Sequence, residues 1–592
     1  MNELACLVLI ATCTAAAPLD DGLKFSQLCD DYQSFVDWEF PEGALVQGRP
    51  TDPTRVTEVS LAAIERRQIR TAEFLAALEA LDRDALSEAD QLDFDLLKRE
   101  LQRSVDGHRF ESWSMPIAQR FGIQTDIPQM ADHVPLNTEA DYSNLLARLG
   151  HVPQALRDTR EVLDYGLKRG RTVPRVAMAG VVDQCDAIVA ARLGQIESKL
   201  RAMPRSIDPQ RRAELLAQFE SARTEIIVEV ALLREMLAET YIPACRQSVA
   251  CAALPDGSAL YDFELERHTT TPLDAIAIHQ LGLAEVARIR AEMMLVIRRT
   301  DWWNDWQGEL NSASDDQIFA SFVNYLRETP RFYCTTAEEL LTGYREVCKR
   351  IDANLPALFG TLPRLPYGVR EIPRFMAPSQ TTAYYQSGSM KSGLAGWFCA
   401  NTYALDQRPR YEFVPLALHE AVPGHHLQIS LAQEMPQARV FRRDLSATGF
   451  VEGWALYAER LGIDMGLYEN PYDDFGRLLY EMWRSCRLVV DTGIHRFDWS
   501  RQRAIDYMVT NTALSRLNIE REIDRYISWP GQACAYKIGE LRIRALRAEA
   551  EAALGARFDI RAFHDAVLGA GAIPLDVLER RVRTWIAAQP RA

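Results

Sequence analysis

The eleven cysteines include no Cys-x-x-Cys pair, which argues against a cysteine-ligated zinc site. No apolar run approaches the roughly 20 residues that a membrane-spanning helix needs. Positive charge is not in excess: 67 Lys and Arg face 82 Asp and Glu, a net charge of −15. Nucleic-acid backbones and anionic membrane surfaces would repel such a chain. Internal repeats and low-complexity linkers are missing as well, so neither a solenoid nor tethered modules are expected. What is present is ordinary: 592 residues, 47% hydrophobic and 25% charged, enough for a substantial buried core.

The N-terminus has one short apolar run, Leu4 to Thr14, followed by Ala15-Ala16-Ala17-Pro18. This pattern resembles the apolar region and small-residue cleavage site of a secretory signal. Residues 1–17 are therefore read as a signal peptide and the protein as exported, to the periplasm or beyond. Met1-Asn2-Glu3 lacks the basic side chain of a signal, so a cytoplasmic chain with a buried N-terminal helix is the alternative. Cys13, after Ile10-Ala11-Thr12, matches a lipoprotein cleavage site only weakly, and a lipid anchor there is not expected. Export would let Cys245 and Cys251 close a small disulfide loop. The remaining cysteines are expected as buried, inert thiols.

Apolar spacing of three and four residues predicts a chain that is mainly α. Residues 54–104 follow it with a break near Asp82-Arg83-Asp84, and residues 139–240 follow it with breaks at Gly170 and Pro204. Thr271-Pro272-Leu273-Asp274 opens another long helix to about Thr300, with Pro272 near its first turn. Between Pro363 and Pro409, Pro, Gly, Ser and aromatics predict a small β element. Its two strands would lie at 381–385 and 396–403, with Gly388 to Gly393 between them. The expected architecture is a two-lobed multi-helix body, residues 18–592, around a deep cleft. A soft lobe boundary falls near 243–257.

Residues 419–426 read His-Glu-Ala-Val-Pro-Gly-His-His, which holds three of the ten histidines. A hydrolytic zinc site takes three His or carboxylate ligands and keeps one position for water. A nearby carboxylate then takes that water's proton. The HExxH arrangement meets this with two histidines one helical turn apart. Here the fourth position is Pro423, which cannot bind a metal. On an ideal helix His425 would lie about 240° round from His419, and His426 about 10.5 Å along the axis. Pro423 lacks an N–H and Gly424 is conformationally free, so a bulge is expected to turn His425 back towards His419. His426 is the less favoured partner. Glu452, 27 residues after His425, has room to return on the next helix as third ligand. Glu459, seven residues further, would orient a ligand histidine. Glu420 is the expected general base.

Three segments, HEAVPGHHLQ, EGWALYAERLG and GQACAYKIGELRI (531–543), resemble the bacterial domain-of-unknown-function family 885. The resemblance runs from about residue 25 to 588 and includes the stretch 243–272. The family pattern HExxPGH is matched by His419, Glu420, Pro423, Gly424 and His425, which implies His425 as ligand. The family is similar at a distance to gluzincin peptidases of the thimet-oligopeptidase, carboxypeptidase-Taq and angiotensin-converting-enzyme types. That similarity implies a helical fold, a deep cleft and one zinc ion held by His419, His425 and Glu452. The segment GFVEGW is similar to their third-ligand helix. Tyr536 resembles their downstream tyrosine, which donates to the oxyanion; His495 is a second candidate for that role. From position alone, Tyr384, Tyr385 and Asn401 are candidates to line the cleft, with plain sheet core as the alternative. Arg410 and Lys391 are read first as surface charge and second as partners of a substrate carboxylate.

The expected function is a zinc-dependent hydrolase, a metallopeptidase acting on peptides or small amides. Two alternatives stand beside it: a zinc hydrolase of non-peptide amides, and a silent binding protein with a vestigial metal site. No nucleic-acid partner and no membrane span are expected.

Overall fold

The computed structural model describes residues 20–589 except 133, 375 and 376. The signal peptide expected at 1–17, and Cys13, lie outside those residues. The described residues are 70% helical with one small three-stranded sheet, so the fold is mainly α as the spacing predicts. None of the described helices is long and apolar enough to cross a membrane.

Helix starts follow local side-chain chemistry. Ser60, Ser87, Thr138 and Ser314 each cap a free backbone N–H at the start of a helix, and Thr138 and Ser314 do so within reciprocal capping boxes. The 82–84 break falls between helices Leu61–Glu79 and Glu88–His108. One start differs from expectation. Helix Ala275–Ile297 is capped by Asp274, whose carboxylate accepts from the N–H of Ala277 at 2.8 Å. Pro272 therefore precedes the cap rather than occupying the first turn.

The apolar residues fall into two large clusters. One gathers residues between Ile117 and Cys245, and the other joins residues 25–110 to those from Cys251 to the C-terminal helices. The change of cluster falls within 243–257. The N-terminal helices nevertheless pack with the C-terminal half. Cys245 and Cys251 form no disulfide: all nine described cysteines are buried free thiols.

The sheet has the order β1-β3-β2, with β1 at Tyr367–Glu371, β2 at Ala383–Gln386 and β3 at Gly396–Ala400. β3 pairs parallel to β1 and antiparallel to β2. The expected pair corresponds to β2 and the central strand β3, which ends at Ala400 rather than 403. The outer strand β1, preceded by Pro-rich sequence, lies outside the expected element. Tyr344 joins the sheet to the first metal-motif helix, with its ring centroid 4.9 Å from Phe398 and 4.4 Å from Phe413.

Helix Pro471–His495 runs through the centre and is buried along nearly its whole length. It carries Arg477, Glu481, Arg484, Arg487 and Asp491, charges that must be paired at such depth. Glu481 meets Lys537 at 2.8 Å, and the fully buried Lys537 also meets Glu285 at 3.0 Å and Glu540 at 2.8 Å. Helices Thr448–Asp464 and Ala535–Leu554 cross at glycines. A Cβ on Gly453 would stand 2.4 Å from Gly539 Cα, and one on Gly539 would stand 1.8 Å from the Gly449 carbonyl. Only glycine permits this approach, which brings the helix of Glu452 against the helix of Tyr536.

Candidate metal centre

The motif helix Phe413–Glu420 is apolar on every side, Phe-Val-Pro-Leu-Ala-Leu before His-Glu, and all eight residues are buried. It ends at Glu420. A non-helical turn through 421–424 follows, with a cis Val422–Pro423 bond, and a second helix begins at His425, His425–Gln433. The expected bulge within one helix is thus a break between two. Proline lacks the N–H that a continuing helix would use. Gly424 is required because a Cβ there would stand 2.0 Å from the His419 carbonyl oxygen and 2.4 Å from that of Leu418. Trp454 fixes the turn from outside by donating its indole N–H to the Pro423 carbonyl at 2.8 Å.

The break brings His419 and His425 together. Their rings stand perpendicular with centroids 4.8 Å apart. Glu452 enters from helix Thr448–Asp464. Its Oε2 lies 3.8 Å from His419 Nε2 and 3.6 Å from His425 Nε2. One donor atom from each of these three residues falls within 4.8 Å of the others, a group that could hold a metal ion. A four-coordinate ion about 2.0–2.1 Å from each donor gives donor–donor edges of about 3.4 Å, close to the Glu452 distances. Glu452 Oε2 is buried without any hydrogen bond. A buried carboxylate oxygen left unpaired costs free energy unless a cation meets it. The residues therefore fit a divalent ion.

Outer contacts fix the histidines. His419 Nδ1 lies 2.8 Å from Glu459 Oε1, and Glu459 meets Arg484 at 3.3 Å. Burial holds His419 well below the ordinary histidine range, with Arg484 and His425 acting in the same direction. The ring is therefore neutral, as a metal ligand must be. Burial also pushes Glu459 up to about 8, against the pull of Arg484. His425 has no such partner, since its Nδ1 is buried without a hydrogen bond. His426 is turned elsewhere. Its Nε2 must donate to the Leu365 carbonyl at 3.0 Å, so its Nδ1 accepts from the Tyr385 hydroxyl at 2.9 Å. Both nitrogens are committed to holding the sheet.

Glu420 lines the same cavity, of about 330 Å³, together with His419, His425, Glu452 and Tyr536. Burial raises its carboxyl, while His425 and the backbone N–H of Tyr385 pull it down. Tyr536 stacks nearly parallel to His419, 6.3 Å between centroids, and its hydroxyl is raised by burial and by Glu452. Tyr384 and Tyr385 of edge strand β2 also line the cavity.

Other expected site residues lie elsewhere. His495 is buried, with Nε2 donating to the Tyr526 carbonyl and Nδ1 accepting from the Cys251 N–H, both at 3.0 Å. It does not line the cavity; it ties the central helix to two neighbouring segments. Asn401 uses its side-chain amide on the carbonyls of Ala377, Gln380 and Thr381 and closes a loop. Arg410 pairs with Glu339, and Lys391 is exposed. The sequence reading missed the cavity's arginines, Arg120, Arg484, Arg487 and Arg525. The one available signal was Arg484 and Arg487, two charges in an otherwise apolar helical stretch.

The family model described as bacterial protein of unknown function (DUF885) matches residues 41–582. Among solved structures, a candidate lipoprotein from Colwellia psychrerythraea is 25% identical, with a TM-score of 0.87 over 96% of this chain and 100% of that one. A candidate lipoprotein of unknown function from Shewanella oneidensis is 17% identical, with a TM-score of 0.71 over 94% of this chain and 99% of that one, a likeness of fold. No curated protein matches the chain.

Proposed function

We propose that this chain, which belongs to the bacterial DUF885 family, is a zinc-dependent hydrolase of peptides or small amides. The observation that carries the reading is the unpaired, buried Glu452 Oε2 facing the Nε2 atoms of His419 and His425. Zinc is the ion that this two-histidine, one-carboxylate set suits. When bound, it would supply Lewis acidity and lower the pKa of a water molecule.

The chain's own residues do the rest. Glu420, next to His419 and raised by burial, is suited to take a proton from water and return it to the leaving amine. Glu459 holds the His419 ring by its far nitrogen. Tyr536, neutral because burial raises it, keeps a hydroxyl proton to donate to a developing oxyanion. An extended peptide is a fitting substrate, since β2 is an edge strand whose residues Ala383, Tyr384 and Tyr385 line the cavity. The cavity volume of about 330 Å³ favours short substrates, peptide or not. Export is supported by the candidate-lipoprotein descriptions of the two solved structures.

The test is metal analysis of purified protein with Glu420→Gln and His419→Ala, together with a peptide-library digest. One zinc per chain in wild type and Glu420→Gln, loss of zinc in His419→Ala, and cleavage by wild type alone are expected. Wild type without stoichiometric zinc defeats the reading. Zinc without cleavage of any peptide moves the substrate to non-peptide amides.

A further inference from the structure

The cavity that holds Glu420 and the three candidate ligands has a second, cationic end. Arg487 and Arg525 both meet Glu522, at 2.9 and 3.0 Å. Glu522 Oε2 also accepts from the Tyr526 hydroxyl at 2.7 Å, so that oxygen takes three bonds. Arg120 enters from a different part of the chain, close enough to feel both Arg525 and Glu522. Its loop is pinned by the Gln119 N–H donating to the Ala177 carbonyl at 2.8 Å and by Gln184 donating to the Gln119 carbonyl at 2.9 Å. Arg120 itself makes no hydrogen bond or ion pair among the described residues.

Two guanidinium groups therefore share one carboxylate, and that of Arg120 lines the same cavity without an ion pair of its own among the described residues. Arg487, only 4% exposed, lines the cavity and has its Nη1 buried without a partner. Unpaired guanidinium N–H groups at such depth are costly unless an anion meets them. Arginine's planar fork suits a carboxylate more than a point charge would. This end lies close to the metal group: the Arg487 guanidinium is 4.2 Å from the centroid of the Tyr536 ring, and His419 stacks with that same ring.

We propose that Arg120, Arg487 and Arg525 form a carboxylate-recognition subsite, so that the substrate carries a carboxylate within about a residue of the bond that is cut. The hydrolytic part rests on the zinc-hydrolase reading; the recognition part does not. Water adds across the amide, the C–N bond breaks, hydroxyl goes to the carbonyl carbon and the proton to the amine. Two sources present such a carboxylate: the free C-terminus of a short peptide, or an Asp or Glu side chain.

The test is calorimetric binding to the full chain carrying Glu420→Gln, with and without metal, of three probes: acetyl-Ala-Ala, acetyl-Ala-Ala-amide and acetyl-Glu-Ala-amide. At least tenfold tighter binding of one carboxylate probe over acetyl-Ala-Ala-amide is expected, and the probe that gains names the source. Adding Arg120→Gln should abolish that difference. Arg120→Lys should restore part of it, which separates recognition from misfolding. The difference should persist in metal-free protein, so a failed zinc assignment leaves this result readable. Equal binding of all three probes overturns the proposal, and so does absence of binding at millimolar concentration. A preference that survives Arg120→Gln but vanishes with the metal also overturns it, because the carboxylate would then sit on the ion.

Discussion

Glu459 Oε1 lies 2.8 Å from the Nδ1 of His419, with both side chains almost wholly buried. The contact fixes the imidazole plane and leaves Nε2 directed at Glu452. Metal affinity in such an arrangement depends on the outer carboxylate as well as on the ligands themselves.

Glu459→Gln keeps a group of the same shape but replaces one carboxyl oxygen by an amide nitrogen, which changes what His419 Nδ1 meets. Zinc affinity is expected to fall about 10–100-fold, as read by competition with a chromogenic chelator. An unchanged affinity would show that Glu459 serves packing alone.

Gly424→Ala places a methyl group where the carbonyls of Leu418 and His419 stand, at 2.4 and 2.0 Å. The turn must open, and His425 moves with it. Loss of stoichiometric metal is expected, along with destabilisation of about 1–3 kcal/mol from overpacking. Metal analysis and denaturant unfolding read the two effects separately.

Trp454→Phe removes the indole N–H that the Pro423 carbonyl accepts. The carbonyl is left buried without its partner, at a cost of about 1–3 kcal/mol. Equilibrium unfolding should report that loss, with metal affinity falling in the same variant. Trp454→Phe with wild-type stability would mean that the carbonyl finds another donor.

His495 and His564 are buried, and burial depresses each to about 4. Each ring is neutral, with one nitrogen donating to a carbonyl, Tyr526 for His495 and Leu358 for His564. Between about pH 6.5 and 4 the unfolded chain binds more protons at these sites than the folded chain does. Their contribution to stability is therefore full above pH 6.5 and shrinks as pH falls towards 4, by roughly 3 kcal/mol per group. Denaturant midpoints measured from pH 7 to 4.5 should fall, and His495→Gln should flatten the slope. A midpoint that rises on acidification would contradict the assignment.

The helical periodicity, the strands β2 and β3 and the residue types at His419, Glu420, His425 and Glu452 were legible in the chain. Periodicity reports burial of one face, and burial drives these helices together. The motif's anomaly was legible only in part. Pro423 signalled an interruption, but whether it bulged one helix or ended it depends on what packs around the turn. Trp454 and the carbonyls facing Gly424 decide that, and they come from other turns and another helix. His495 looked like a candidate because histidine has many uses. Its surroundings, the Cys251 N–H and the Tyr526 carbonyl, lie 244 and 31 residues away in sequence.

Sequence by itself determined the mainly helical class, the family and the residue types able to hold a divalent ion, because these follow from local spacing and side-chain chemistry. Tertiary structure decided the rest. It set His426 against the sheet, and it spent Asn401, Arg410 and His495 on internal bonds. It also gathered Arg120, Arg487 and Arg525 from distant segments into one cavity. Charges separated by hundreds of residues meet only when packing brings them together, and no local pattern records which of them are left without a partner.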